Sequence, residues 1–221
     1  MSQKFSNLYL TLRRPQTTLI QPTMEANTIL PTGVTPLAYR LRLAPNLDDC
    51  TYTFDVDLSL NLPPNTTTIT LHWIPKNNLA PITSALFCDG NNFTKDEFST
   101  SGVAGVDCLT FHTSTSVTLN PETQTIMFQF SNVLPEKNGR ILITGASSLD
   151  DSLCGFYRSS YIDSFTNIQK YMAVTQFEAT DARRCFPCVD EPSAKATFEL
   201  SVVSSRALDV ISNMPVSEKR A

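Results

Sequence analysis

Charged and sulfur-bearing side chains crowd one stretch of this chain, Thr175-Gln176-Phe177-Glu178-Ala179-Thr180-Asp181-Ala182-Arg183-Arg184-Cys185-Phe186-Pro187-Cys188-Val189-Asp190-Glu191-Pro192. Arg183 and Arg184 stand close to Asp181, Asp190 and Glu191, and guanidinium forks with carboxylates suit bidentate pairing. The spacing reads as a structural ion-pair network that fixes its loop, with Pro187 and Pro192 stiffening the turn; steering of a charged substrate is the alternative. Taken alone, Glu178 reads as a solvated carboxylate at the end of a strand. Cys185-Phe186-Pro187-Cys188 is a Cys-x-x-Cys. A thioredoxin-type centre needs that motif beside a βαβ unit, and a zinc ribbon needs a second pair. The surroundings are β and the second pair is lacking, so two packed or partly exposed thiols are expected. A His-Glu-x-x-His zinc site places two imidazoles one helical turn apart, with water in an open position. The two histidines, His72 and His112, lie far apart, each in or beside a strand-like run and without a neighbouring Glu. No catalytic residue and no metal ligand is assigned. Seven glycines leave little room for a Gly-rich phosphate loop.

The elements that must position this stretch are strands. Tyr39, Leu41 and Leu43 alternate with Arg40 and Arg42. Tyr52, Phe54, Val56, Leu58, Leu60 and Leu62 then fall on one face, with Thr53, Asp55, Asp57, Ser59 and Asn61 on the other. A period of two gathers one apolar face on a sheet and scatters it around a helix. Thr68–Ile74 repeats the pattern through Ile69, Leu71 and Trp73. Val117–Leu119 and Ile126–Phe130 follow around the turn Asn120-Pro121-Glu122, and Asn138-Gly139 is a hairpin-type dipeptide leading into Arg140–Thr144. Ala173–Phe177 and Thr197–Val203 close the series. Residues 75–105 lack periodicity and read as loops around short strands. With no segment of helical period long enough for a helix, the class is all-β, a sandwich or open barrel.

Composition bounds the function. A chain of 221 residues, 41% hydrophobic and 17% charged, is globular. Net charge −4 without a basic patch argues against nucleic acid as a partner. No window approaches the roughly 18–20 apolar residues of a membrane span, and Leu8–Leu12 is too short for a signal-peptide core. The expected location is cytoplasmic, and free thiols are the default for the six cysteines.

Several motifs together carry a resemblance. Leu30-Pro31-Thr32-Gly33-Val34-Thr35-Pro36-Leu37-Ala38-Tyr39, Gly155-Phe156-Tyr157-Arg158, the Thr175–Pro192 run and Ser212-Asn213-Met214-Pro215-Val216 occur in an order and at spacings similar to the N-terminal β-domain of the zinc aminopeptidases, the aminopeptidase N and puromycin-sensitive aminopeptidase family. The resemblance implies a saddle-like sandwich of mostly antiparallel strands that lies over a thermolysin-like catalytic domain. It divides the chain into an N-terminal extension at 1–29, expected to be poorly ordered, and the β-domain at 30–221, expected to be cut short at its C-terminal end. It also implies that Gln176 and Glu178 bind substrate: Glu178 helps hold the α-ammonium of the peptide's first residue, and Gln176 lies beside its side chain. Zinc would then belong to the full-length enzyme, with no cofactor in this chain, and the partners would be a peptide N-terminus and the missing catalytic domain. The chain departs from the pattern at Cys185, where Ala is usual, and at Val189, where Trp is usual. The rival reading is a stand-alone, non-catalytic β-module that binds peptides or a partner aminopeptidase.

Overall fold

In the computed structural model, the period-two runs become strands and their apolar faces meet in one core. Residues 29–31, 33–76, 82–89, 110–136, 138–205 and 207–219 are described. They form eleven strands: β1 (Thr35–Asn46), β2 (Thr51–Asn61), β3 (Thr68–His72), β4 (Leu86–Asp89), β5 (Phe111–Thr113), β6 (Ser116–Asn120), β7 (Thr125–Gln129), β8 (Gly139–Ser148), β9 (Gly155–Ile162), β10 (Gln169–Gln176) and β11 (Thr197–Val202). The helical content among the described residues is one 3-10 turn, Ala182–Arg184. The fold is therefore all-β, as expected.

Three sheets share the strands. A six-stranded sheet runs β11-β1-β2-β8-β4-β5, a three-stranded sheet runs β3-β7-β6, and β9 and β10 form a two-stranded arm. Every pairing is antiparallel except β1 with β11, which is parallel. The two larger sheets pack face to face. Phe54 of β2 meets Trp73 edge-on at 5.2 Å between ring centroids, and Phe87 of β4 meets Phe130 at 6.2 Å. All six residues of the predicted apolar face of β2 are buried, as are Ile69, Leu71 and Trp73. Removing this much apolar surface from water is the main force holding the sandwich together.

One reading needs correcting. Asn138-Gly139 does not turn a hairpin between β7 and β8, because β7 lies in the three-stranded sheet and β8 pairs with β2 and β4 of the other. Asn138 does adopt a positive φ of 39°, so its local preference is used while the chain crosses between sheets. The polar face of β2 is itself partly buried. Asp57 and Ser59 are buried there, and the Arg140 guanidinium donates to both Asp57 carboxylate oxygens. A buried ion pair is tolerated when its hydrogen bonds are satisfied in this way.

Candidate functional site

The arm β9–β10 delivers the predicted residues. Its register places Gln176, the last residue of β10, opposite Gly155, the first of β9. Beyond Gln176 the side chains continue to alternate. Phe177 packs against the core and meets Phe186 edge-on at 6.2 Å. Gln176 and Glu178 stand exposed on either side of it. One inward aromatic thus anchors two outward polar groups where β10 passes into a turn. The peptide bond from Glu178 to Ala179 is cis.

The residues that follow build a frame. Arg183 is 1% exposed, the largest fully buried side chain among the described residues. Its Nε donates to Asp190 Oδ2 at 3.0 Å, one terminal nitrogen donates to the Asp190 carbonyl at 3.0 Å, and the other donates to Gln124 Oε1 at 3.0 Å. Arg184 Nε donates to Asp181 Oδ1 at 2.6 Å, and Glu191 accepts from the Leu30 amide at 2.7 Å. Backbone contacts tie the same segment to the sandwich. His72 and Cys188 exchange amide–carbonyl hydrogen bonds of 2.8 and 3.1 Å, and the Ile74 amide donates to the Arg183 carbonyl at 2.9 Å. The Tyr52 hydroxyl donates to the Cys185 carbonyl at 2.8 Å, and the Tyr39 hydroxyl accepts from the Val189 amide at 3.0 Å. The cluster of Asp181, Arg183, Arg184, Asp190 and Glu191 is thus a structural network that fixes a loop, as its composition predicts.

Gln176 and Glu178 are the exceptions. Among the described residues, neither side chain makes a hydrogen bond or an ion pair with the protein, whereas every other charged side chain from Asp181 to Glu191 is satisfied internally. An unpaired carboxylate on a fixed backbone is preorganised to accept a cation, with no internal donor to displace.

The thiols behave as packed groups. Cys185 and Cys188 are free and buried. Burial pushes both thiols well above their ordinary value; the Tyr52 hydroxyl only partly offsets this at Cys185, and Asp190 raises Cys188 further. They stay protonated, and a protonated thiol is neither nucleophile nor ligand. The departure Val189 is partly buried against the core, and Cys185 fills a core position. The expectation of free thiols fails at Cys88, which is disulfide-bonded. Sequence distance carries no information about which thiols the fold brings together.

A zinc ion does not fit the described residues. No group of three or more His, Cys, Asp or Glu side chains among the described residues is placed to hold a metal. His72 is buried, and its Nδ1 accepts from the Asp190 amide at 3.1 Å. No helix among the described residues is long and apolar enough to cross a membrane.

Sequence reasoning did not foresee four contacts: the Tyr52 hydroxyl beneath the frame, Gln124 on Arg183, Gly155 opposite Gln176, and the burial of Lys76 in an unpatterned stretch. The signal available was slight, a Gly at the head of a strand for one and no local pattern for Lys76.

Comparison with known proteins places these features in a family setting. The profile of the peptidase M1 N-terminal domain matches residues 35–221. An alanine/arginine aminopeptidase of Saccharomyces cerevisiae is 36% identical over 191 residues, covering 85% of this chain and 19% of that protein. Aminopeptidase M1-A of Oryza sativa is 36% identical over 195 residues, covering 86% of this chain and 20% of the relative. Aminopeptidase M1 of Arabidopsis thaliana is 35% identical over 191 residues, with shares of 86% and 20%. The chain spans about a fifth of the length of these curated relatives.

Proposed function

The chain belongs to the peptidase M1 family through that family's N-terminal domain, and we propose that it serves as the N-terminal β-domain of a zinc-dependent aminopeptidase that removes N-terminal residues from peptides. In this reading the domain contributes recognition of the substrate's free N-terminus, and the zinc with its activated water belongs to polypeptide outside this chain. The Glu178 carboxylate accepts hydrogen bonds from the peptide's α-ammonium, and Gln176 lies beside the first side chain. An exopeptidase must distinguish a free N-terminus from an internal peptide bond. A carboxylate does this through a charge-assisted hydrogen bond that a neutral amide cannot reproduce.

One observation carries the reading. Glu178 and Gln176 are held outward and unpartnered by a segment whose other charges are all consumed internally. A merely solvated strand end would not need a buried arginine and two buried tyrosines fastening the loop behind it.

The test uses the protein as cells produce it, read first for intact mass and then for zinc-dependent, chelator-sensitive release of N-terminal residues. The reading expects a species several times longer than this chain. Its Glu178→Gln variant loses affinity for free N-termini about ten- to a hundred-fold, the scale of one hydrogen bond to a charged group. A stable 24.5 kDa species, inactive with or without zinc, overturns the enzyme reading and leaves a peptide-binding β-module.

A cytoplasmic location belongs to the same proposal. The Cys88 disulfide pulls the other way, since such bonds persist mainly in oxidising compartments. Alkylating thiols at lysis and comparing reduced with non-reduced mobility decides the matter: an oxidised Cys88 in fresh extract rejects the cytoplasm.

A further inference from the structure

Lys76 is a buried ammonium that the frame around Arg183 does not use. It is 7% exposed and follows β3. Its Nζ donates to Asp150 Oδ1 at 2.8 Å, Ser152 Oγ at 3.0 Å, the Cys154 carbonyl at 2.7 Å and the Phe156 carbonyl at 3.3 Å. Its own carbonyl accepts from Ser147 Oγ and Ser148 Oγ, both at 3.3 Å, at the end of β8. Burying an ammonium is costly unless its hydrogens are satisfied. Three hydrogens facing four acceptors meet that condition, and in a dry site each bond is stronger than in water.

The two carbonyls flank Gly155. That glycine has a φ of 66°, and a Cβ added to it would lie 2.6 Å from Arg184 Cβ. Gly155 is therefore clasped from one side by Lys76, through its neighbours, and closed on the other by Arg184. Across the arm it pairs with Gln176, two residues before Glu178.

We propose that Lys76 is a positioning residue for Gln176 and Glu178: its ammonium fixes the carbonyls on both sides of Gly155, and Gly155 fixes the end of β10. This rests on the reading of Gln176 and Glu178 as the N-terminus site. Lys76 touches no substrate in this account. It sets where the arm leaves the sandwich, and so where the two polar side chains stand. The grip on the carbonyls matters for position, and the ion pair with Asp150 matters for stability.

The test compares nuclear magnetic resonance spectra of the full chain and of Lys76→Met, which keeps the apolar stem and removes the ammonium. Three readouts are taken: the backbone amides of Gly155 and Gln176, the Gln176 side-chain amide, and binding of alanyl-alanine amide with a free or an acetylated N-terminus. The expected result is displacement of all these signals, about ten-fold faster hydrogen exchange at the Gly155–Gln176 pair, and weaker binding of the free dipeptide. Asp150→Asn leaves the carbonyl contacts in place and is expected to leave the Gln176 signals unmoved. Ile143→Val, a core change that lowers Tm without touching the arm, serves as the control for general destabilisation. If Lys76→Met disturbs Gln176 no more than Ile143→Val does, Lys76 is a structural staple only and the proposal is overturned. If Lys76→Met does not fold, Lys76→Gln carries the test with two donors on a shorter arm: a shifted Gln176 supports the proposal and an unmoved one overturns it. The two readings fail separately. Displacement of Gln176 by Lys76→Met, with dipeptide binding unchanged in Glu178→Gln, upholds the positioning role and rejects the N-terminus site.

Discussion

Two neighbouring parts of one motif treat their charges in opposite ways. From Asp181 to Glu191 each carboxylate and guanidinium is consumed by the protein, and Arg183 is sealed from solvent. From Gln176 to Glu178, a few residues earlier, the polar side chains are exposed and unpartnered among the described residues. The first part behaves like a core made of ion pairs and the second like an open hand. Residue type therefore does not distinguish structural from functional charge here. Partner count does, and partner count is a property of the fold.

The sharpest way to break the comparison is to remove the buried charge. Arg183→Met leaves the partly buried Asp190 carboxylate without its cation and Gln124 without its donor. Loss of one partner of a buried pair costs about 3–5 kcal/mol. The expected result is a large fall in urea midpoint, together with loss of the protection that the Ile74 amide gains from the Arg183 carbonyl. A small effect would mean that the frame is not held by this network.

The next effect is Gly155→Ala. A left-handed φ costs a non-glycine residue about 1–2 kcal/mol, and the added methyl meets Arg184 Cβ at 2.6 Å. A destabilisation of about 2 kcal/mol or more is expected from denaturant titration. Tyr52→Phe follows. It deprives the buried Cys185 carbonyl of its 2.8 Å donor and should cost about 1–2 kcal/mol. Its signature is a drop in Tm with the arm's own amides unmoved, since Tyr52 supports the frame and not β10.

Much of this was legible beforehand. Alternation over Tyr52–Leu62 announces a strand because sheet geometry and side-chain period coincide there, and every predicted inward residue is buried. The density of Arg and acid between Asp181 and Glu191 foretells their pairing. What escaped was long-range. Asn138-Gly139 has hairpin composition, but which sheet β8 joins is decided by β2 and β4. Asp57 pairs with Arg140 from β8, a partner more than eighty residues away. Lys76 sits in a stretch without period, and its acceptors at 150–156 lie more than seventy residues away, so no local pattern could reveal it.

Acid sharpens the contrast between paired and unpaired carboxylates. Burial works to raise the Asp150 carboxyl, but hydrogen bonds from Lys76 and Ser152 outweigh it and hold the group below its ordinary value. At the arm's far turn, Lys170 and the amides of Thr166 and Phe165 hold Asp163 down, against a small opposing effect of burial. A depressed carboxyl contributes stability that is fully present above its unfolded value of about 3.8 and is lost as pH falls through the folded value. Stability should therefore be flat near neutrality and decline below about pH 4. Asp150→Asn and Asp163→Asn should each flatten that decline, as measured by thermal melts between pH 2 and 7.

The smallest effect on the fold is expected at the residue assigned the largest functional role. Glu178→Gln keeps the size of the side chain, breaks no hydrogen bond or ion pair among the described residues, and stays exposed. Surface substitutions of this kind change stability by less than about 0.5 kcal/mol, so the urea midpoint should match the parent chain. A larger loss would mean that the carboxylate is already spoken for inside the protein. It would then belong with the frame, and its availability to a peptide's ammonium would fail with it. Stability unchanged and discrimination between free and acetylated N-termini lost is the one combination that a structural carboxylate cannot produce. It separates the open hand from the ion-pair core beside it.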